Sequence, residues 1–305
     1  MPELPDIIVY REALEQRTLG ATLTSIRLGN PFLLRSVSPQ PSEATGRNVV
    51  GLRRLGKRIV FQLEGDMFLV LHLMIAGRLH WKPSGAKIPG KIGLAAFDFT
   101  SGTLTLTEAG TKKRASLHIV AGEENLKALD RGGMDVETGT EMEFASRLTL
   151  ENHTLKRSLT DPRLFSGIGN SYSDEILHRS KLSPLRLTRQ MTNEEIGMLF
   201  RSIKEVFSEW TERLRKDAGN EFPEHVTAFR KEMAVHGKFN LPCPVCGTEV
   251  QRIVYAENEC NYCPRCQTGG KLLADRAFSR LLKNDWPKTI EELEAGSGLK
   301  SVESQ

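Results

Sequence analysis

Two sets of residues in this chain have types and spacings suited to chemistry, and they lie near its opposite ends. The chain opens Met1-Pro2-Glu3-Leu4-Pro5-Asp6. Aminopeptidases remove methionine before a small residue, so Pro2 is expected to become the new N-terminus, a secondary amine. An α-amino group has a pKa of about 7.7–8.0 against about 10.4 for lysine, so far more of it is unprotonated at neutral pH. Only the free base is a nucleophile. A secondary amine that attacks a sugar carbon gives an iminium, which stays cationic without a proton and draws electrons from the adjacent bonds. Glu3, beside it, is placed to move protons. The alternative is an ordinary start in which Pro2 serves only as a processing site.

At the other end, all five cysteines fall between positions 243 and 266. A disulfide scaffold would spread them along the chain. Cys243-Pro-Val-Cys246 and Cys263-Pro-Arg-Cys266 are matching turns, each placing two thiolates together, and two such turns facing each other make a tetrahedron for zinc. Cys260 is the spare; its spacing to Cys263 would let it replace a ligand, but the repeated Cys-Pro-x-Cys pattern favours 243, 246, 263 and 266. Four cysteines close the metal shell, so the zinc is read as structural.

A third segment is Ser166-Gly167-Ile168-Gly169-Asn170, which joins a short helical run from Leu155 to a second helix with Tyr172, Ile176 and Leu177 on its apolar side. Gly167 and Gly169 permit close backbone approach. Asn170 is a suitable N-cap, and a helix start attracts phosphate. A plain helix corner would use the same residues.

These segments need elements to hold them. Residues 6–18 read as a helix. Short β-rich runs follow at Thr22–Leu28, Arg58–Leu63, Met67–Leu73, Gly93–Phe99, Thr103–Thr107 and Ala115–Val120, a spacing that suggests an antiparallel sandwich. Beyond a Gly-bearing linker at 131–139 the period becomes helical. Thr140 with Glu143 and Thr192 with Glu195 are capping boxes. The second opens a long helix whose stripe of Ile196, Leu199, Phe200, Ile203, Val206, Phe207, Trp210 and Leu214 faces a core. Residues 250–255 and 259–262 read as a hairpin between the cysteine pairs. A further amphipathic helix is expected at 272–283, and a disordered tail from Glu294. The expected division is thus an α+β chain: a β-sandwich domain over 1–130, the linker, a helical domain over 140–235, a zinc hairpin over 236–270 and a C-terminal helix and tail over 271–305. The chain has 305 residues and a net charge of +4, with basic knots at Arg53–Arg58, Lys112–Arg114 and Lys156–Arg157 that suit a phosphate backbone. No apolar run reaches membrane-spanning length and no secretory signal is evident, so a cytoplasmic protein is expected, nucleoid-associated if bacterial.

The order of these motifs resembles the formamidopyrimidine-DNA glycosylase and endonuclease VIII family over about residues 2–268. The resemblance implies a β-sandwich, a helix–two-turn–helix domain and a zinc finger, with damaged double-stranded DNA in the cleft between the domains and the protein acting as a monomer. It implies a bifunctional enzyme of base excision repair, a glycosylase that removes a damaged base and a lyase that then cleaves the abasic strand by β- and δ-elimination. Pro2 matches the nucleophile that attacks C1′, and Glu3 matches the acid/base. Lys57 matches a strand lysine that contacts phosphate beside the lesion. Lys156 and Asn170 match phosphate-binding positions, and Glu175 matches a buried glutamate. Asp6 stands where the family usually has glutamate.

The chain departs from that pattern at several positions. The family's zinc hairpin carries an arginine that reaches phosphate; counting from the cysteines puts Asn258 there, and Arg252 is too distant to be assumed a substitute. The family's gap-filling methionine aligns with Ile75 in His72-Leu73-Met74-Ile75-Ala76-Gly77. Met74 next to it would point to the other face of the strand that this segment is expected to form. The loop Glu108 to Ser116 keeps charge, with Arg114 as its DNA contact, but lacks the family's aromatic wedge. Residues 217–230 match no purine-capping loop. The expected lesion preference therefore differs from oxidised purines. Two other readings remain beside the repair enzyme: a non-catalytic reader of damaged DNA, and a zinc-ribbon protein–protein module on an unrelated sandwich.

Overall fold

The structure, a computed structural model, describes residues 1–224, 226–227, 229–255, 258–274, 287–293 and 295. Its contacts divide the chain into two units, Met1–Gly133 with Phe207–Ala228, and Met134–Val206 with Phe229–Gln305.

The first unit begins with helix α1 (Leu4–Thr18), followed by β1 (Leu23–Leu28), α2 (Pro41–Ala44), β2 (Val49–Leu55), β3 (Arg58–Leu63), β4 (Met67–His72), β5 (Gly77–Lys82), β6 (Gly93–Phe99), β7 (Gly102–Glu108), β8 (Ser116–Ala121) and α3 (Glu123–Lys127). The strands form two four-stranded antiparallel sheets, in the orders β1-β6-β7-β5 and β2-β3-β4-β8. Alternate residues turn to opposite faces of a strand, and the burial follows that rule. Ile59, Phe61 and Leu63 of β3, Leu69 and Leu71 of β4 and Leu117 and Ile119 of β8 share one core with Phe97, Phe99, Leu104 and Leu106 of the other sheet and with Ile7, Tyr10 and Leu14 of α1. The intervening Val60, Phe68 and Val70 pack under Leu126 of α3. Both faces of β4 are therefore covered, which is why it reads as an unbroken apolar run.

The second unit contains β9 (Met134–Asp135), α4 (Glu141–Leu148), α5 (Leu155–Thr160), β10 (Phe165–Ser166), α6 (Asn170–Arg179), α7 (Asn193–Ala218), whose later part groups with the first unit, β11 (Gln251–Tyr255), β12 (Asn258–Tyr262) and α8 (Pro264–Thr268). Both expected caps open helices: Thr140 Oγ1 accepts from Glu143 N, one half of a capping box, with Glu143 paired to Arg147 instead, and Thr192 and Glu195 bond reciprocally at 2.9 and 3.2 Å. Within the expected linker, β9 pairs in parallel with β10.

The sequence alone assigns residues 140–235 to one helical domain, whereas contacts group Phe207–Ala228 with the first unit. The physical reason is local. Phe222 and Val226 enter the sandwich core, Phe222 lies 5.7 Å from the Tyr10 ring with the Arg17 guanidinium above it, and Arg215 forms a bidentate pair with Glu12 of α1. Residues 272–274 of the helix expected at 272–283 are not helical, and Leu273 N donates to the Tyr262 hydroxyl; its residues 275–283, and the tail apart from residue 295, lie outside the described residues.

Phe222→Ala should lower the stability of the first unit by about 3 kcal/mol, a core aromatic truncation. Urea unfolding checks it; a loss below about 1 kcal/mol, the range of surface changes, would mean that the segment does not share that core.

Candidate functional site

The start of the chain is buried. Pro2 and Glu3 have almost no exposed surface, and Asp6 is likewise covered. Glu3 is the N-cap of α1, and its N–H donates to Asp6 Oδ2 at 2.9 Å, one half of a reciprocal capping arrangement. A shorter Asp6 thus serves to fix the Glu3 backbone. The terminal amine, on Met1 here, is pushed below its ordinary value. Burial is the main cause, Arg78 and Lys57 push the same way, and Glu3 and Asp6 oppose them. An amine held in that direction has more of its free base at neutral pH.

Lys57 sits in the two-residue turn Gly56-Lys57 that joins β2 to β3, where Gly56 takes a positive φ of 62° and Leu55 pairs with Arg58. The resemblance implies a strand lysine; the turn instead lets its ammonium project from the sheet end. Burial lowers its pKa and Glu3 opposes that, so the terminal amine, Glu3 and Lys57 form one electrostatic neighbourhood. Arg78 of β5 belongs to it too. Sequence patterns do not single it out because β5 does not read as a strand; the Gly77-Arg78 step after a turn is the available signal.

That turn also corrects the reading of Met74 and Ile75. Residues 74–76 form a tight turn, with Met74 at φ 51° and Gly77 N donating to Leu73 O at 2.9 Å. Strand alternation does not apply there, and Ile75 is about half exposed at its tip. At the end of β4, His72 Nε2 is buried with no hydrogen-bond partner among the described residues, as is His118 Nδ1. Burial, then Arg58 and Lys57, push the His72 pKa down to about 3. The loop after β7 is pinned from within. Glu108, 1% exposed, accepts from Arg114 N at 2.9 Å and Ala115 N at 3.1 Å, while Lys113 Nζ donates to the Glu108 carbonyl. The basic residues Lys112 to Arg114 are thereby carried on a fixed loop.

In the second unit, Lys156, Asn170 and Asn258 come together around a groove of about 810 Å³, with Arg157, His153 and Tyr255 also lining it. Lys156 is nearly buried and all three of its N–H donors are used inside the protein, by Asn170 O (2.7 Å), Ser173 Oγ (2.8 Å) and Asp174 Oδ1 (2.6 Å). Asn170 is the first residue of α6, with Gly169 as N-cap. Its side-chain amide donates to Glu259 O of β12 at 2.9 Å. Asp174 also takes His236 Nδ1 at 2.8 Å. Glu175 accepts the backbone N–H groups of Ala234, Val235 and His236 at 2.8–2.9 Å; burial still raises its pKa, more than those bonds lower it.

The thiol sulfurs of Cys243, Cys246, Cys263 and Cys266 all lie within 4.8 Å of one another, with pairs at 3.4 and 3.9 Å. Tetrahedral zinc with Zn–S of about 2.3 Å requires sulfur separations of about 3.8 Å, so the donor set fits a structural zinc. Cys260 is outside the cluster, buried beside Asp174 with its thiol pKa raised. The site is tied to α6: His178 Nε2 lies 3.2 Å from Cys243 Sγ, and Gln267 bridges Cys263 N to Leu182 O. Among the described residues no helix is long and apolar enough to cross a membrane.

Comparison with known proteins matches this geometry. Residues 1–117 match the formamidopyrimidine-DNA glycosylase N-terminal domain, 134–218 its H2TH domain, and 240–269 the zinc finger found in FPG and IleRS. A formamidopyrimidine-DNA glycosylase of Thermus thermophilus is 32% identical over 279 residues, covering 88% of this chain and all of that one. An uncharacterized formamidopyrimidine-DNA glycosylase-like protein of Mycobacterium tuberculosis is 37% identical over 164 residues, 54% of this chain and all of the relative. Among solved structures, the Lactococcus lactis Fpg in complex with DNA containing an abasic site superposes with a TM-score of 0.78 at 26% identity, covering 87% of this chain and 99% of that one. The fold and site define a two-unit, zinc-finger protein of a DNA-repair type. The chain belongs to the formamidopyrimidine-DNA glycosylase family.

Stripping zinc should loosen more than the cysteine turns. With Cys243 released, amide exchange should accelerate in β11, β12 and at both ends of α6, which Asn170–Glu259 and His178–Cys243 bind to the zinc segment; unchanged protection in α6 would contradict that coupling. A second outcome concerns pH. The unfolded His72 takes a proton near its ordinary pKa of about 6.5, while the folded residue does so only near 3. Its contribution to stability is therefore full above the unfolded pKa and falls as pH drops from there toward the folded pKa. His72→Gln should flatten the decline of stability below about pH 6.5, and an NMR titration of the His72 ring between about pH 5 and 8 would contradict the assignment.

Proposed function

We propose that the protein is a DNA glycosylase of base excision repair that is also an abasic-site lyase, acting through Pro2. The observation that supports this best is the buried terminus, where an amine depressed by burial shares its surroundings with Glu3, Lys57 and Arg78. After Met1 is removed, the Pro2 nitrogen attacks C1′ of the damaged nucleotide and the base departs with the glycosidic electron pair. Glu3 delivers a proton as the sugar ring opens. The resulting iminium acidifies the C2′ hydrogens; loss of one expels the 3′ phosphate, and a second elimination releases the 5′ phosphate. Lys57 offers a positive charge for the phosphate beside the lesion, and Arg78 adds to burial in disfavouring the protonated form of the terminal amine. The nucleotide must leave the base stack to reach such an amine. The second unit and the basic loop around Arg114 supply the grip on the strand, and the zinc maintains the hairpin.

The exposed Ile75 and the uncharged Asn258 bear on lesion search and reading, not on the sugar chemistry, so the preferred lesion is expected to differ from oxidised purines. They equally motivate a non-catalytic DNA reader, which would bind DNA in a salt-dependent way without cutting it.

Borohydride reduction during incubation with an abasic-site duplex separates the two. The processed protein should form a covalent adduct that maps to Pro2, and retained Met1, which moves the terminal amine one residue away from that position, should abolish it. DNA binding without any adduct would reject the lyase and favour the reader.

A further inference from the structure

The groove of the second unit presents three basic side chains, Lys156, Arg157 and His153, and they differ in how far each is already engaged. Lys156 gives all three of its donors to Asn170, Ser173 and Asp174 and sits at 2.6 Å from the Asp174 carboxylate. His153 is held by Glu151 at 2.7 Å. Arg157 follows Lys156 by one residue in α5, so it projects in another direction from the helix, and it is exposed. Among the described residues no hydrogen bond or ion pair engages its guanidinium.

The carboxylates nearby are also committed elsewhere. Asp161, at the end of α5, takes a bidentate contact from Arg163, with bonds of 2.6 and 3.1 Å. Asp174 is shared between Lys156 and His236. Glu259 on the facing hairpin is paired with Arg252 at 3.2 Å. Arg157 interacts with the Asp161 charge only at a distance, and it lines a groove that also carries the neutral Asn258 and Tyr255. A planar guanidinium suits a phosphate diester, which it can meet with two donors.

We propose that Arg157 is the groove's phosphate-binding cation and that it supplies, from the helix wall, the positive charge absent at Asn258 on the hairpin wall. Lys156 then acts as a positioning residue, holding Asn170 and Asp174 in place. The ligand is the sugar–phosphate backbone of a DNA strand; the inference rests on the DNA-binding reading given above.

The test uses full-length, zinc-loaded protein and a duplex carrying a tetrahydrofuran abasic analogue, with affinity measured from about 50 to 200 mM salt. Each phosphate contact contributes about 0.9 to the slope of log K against log salt. Arg157→Ala should lower the slope by about that amount, so that the wild-type advantage shrinks about 3.5-fold over this fourfold salt range. Arg157→Lys should retain the slope. Adding Asn258→Arg to Arg157→Ala should restore it. A slope unchanged in Arg157→Ala overturns the proposal while leaving DNA binding intact, and so does an affinity loss with the wild-type slope, which would report a packing change. A double variant that stays at the reduced slope overturns the claim that the two walls serve one strand. If the wild-type protein shows no salt-dependent affinity for the duplex, the DNA-binding reading itself fails, and that result is distinct from all of these. Unfolding midpoints and zinc content, which an exposed residue should not alter, verify that the variants are folded.

Discussion

Burial of the first residues is the constraint on which the chemistry depends. A terminal amine in water is mostly protonated near neutral pH and attacks nothing in that form. Here the chain start is buried, in a place where desolvation and the cations Arg78 and Lys57 disfavour the ammonium. Glu3 opposes them, so the balance is set by burial more than by charge. The capping bond between Glu3 and Asp6 is what makes that enclosure reproducible, since it fixes the first turn of α1 and hence the direction in which Pro2 points. The sandwich holds the same region from below through Ile7 and Tyr10.

The second unit follows a different rule. Its centre is a buried carboxylate, Asp174, that neutralises Lys156 and orients His236, with Cys260 packed beside it. A buried charge with one partner removed is costly, so each group constrains the others. From that hub α6 extends in two directions, to the hairpin through Asn170 and Glu259 and to the zinc site through His178 and Cys243. The zinc thus stabilises the wall of the groove without taking part in a reaction, as a closed four-thiolate shell should.

Much of this is readable in the amino-acid sequence where periodicity or spacing carries it. The four zinc ligands, the helix caps at Thr140 and Thr192, helix α1 and most sandwich strands follow from patterns of two, three or four residues. Strands β2 and β5 do not, because Arg53 and Arg54 in one and His80 and Lys82 in the other dilute the apolar signal. The turn at Met74 is hidden because a positive φ in a non-glycine residue leaves no compositional trace. The grouping of Phe207–Ala228 is hidden for another reason: α7 is one continuous helix, and only tertiary packing decides which unit each part joins. The roles of Lys156 and Arg157 are a sharper case. Adjacent cations in one basic knot are equivalent as letters, yet one is turned inward onto Asp174 and the other outward, and only the helix register and the partners distinguish them.

Central to this chemistry is a processed chain start whose amine has a pKa lowered by burial, as the terminal amine on Met1 has. Its most direct test is the titration of the Pro2 nitrogen by NMR, in processed protein labelled with 15N-proline, beside a free peptide of sequence Pro-Glu-Leu-Pro. The pKa in the folded protein should lie clearly below that of the peptide. A value equal to or above the peptide's would mean that burial does not prepare the nucleophile, and would contradict that lowering.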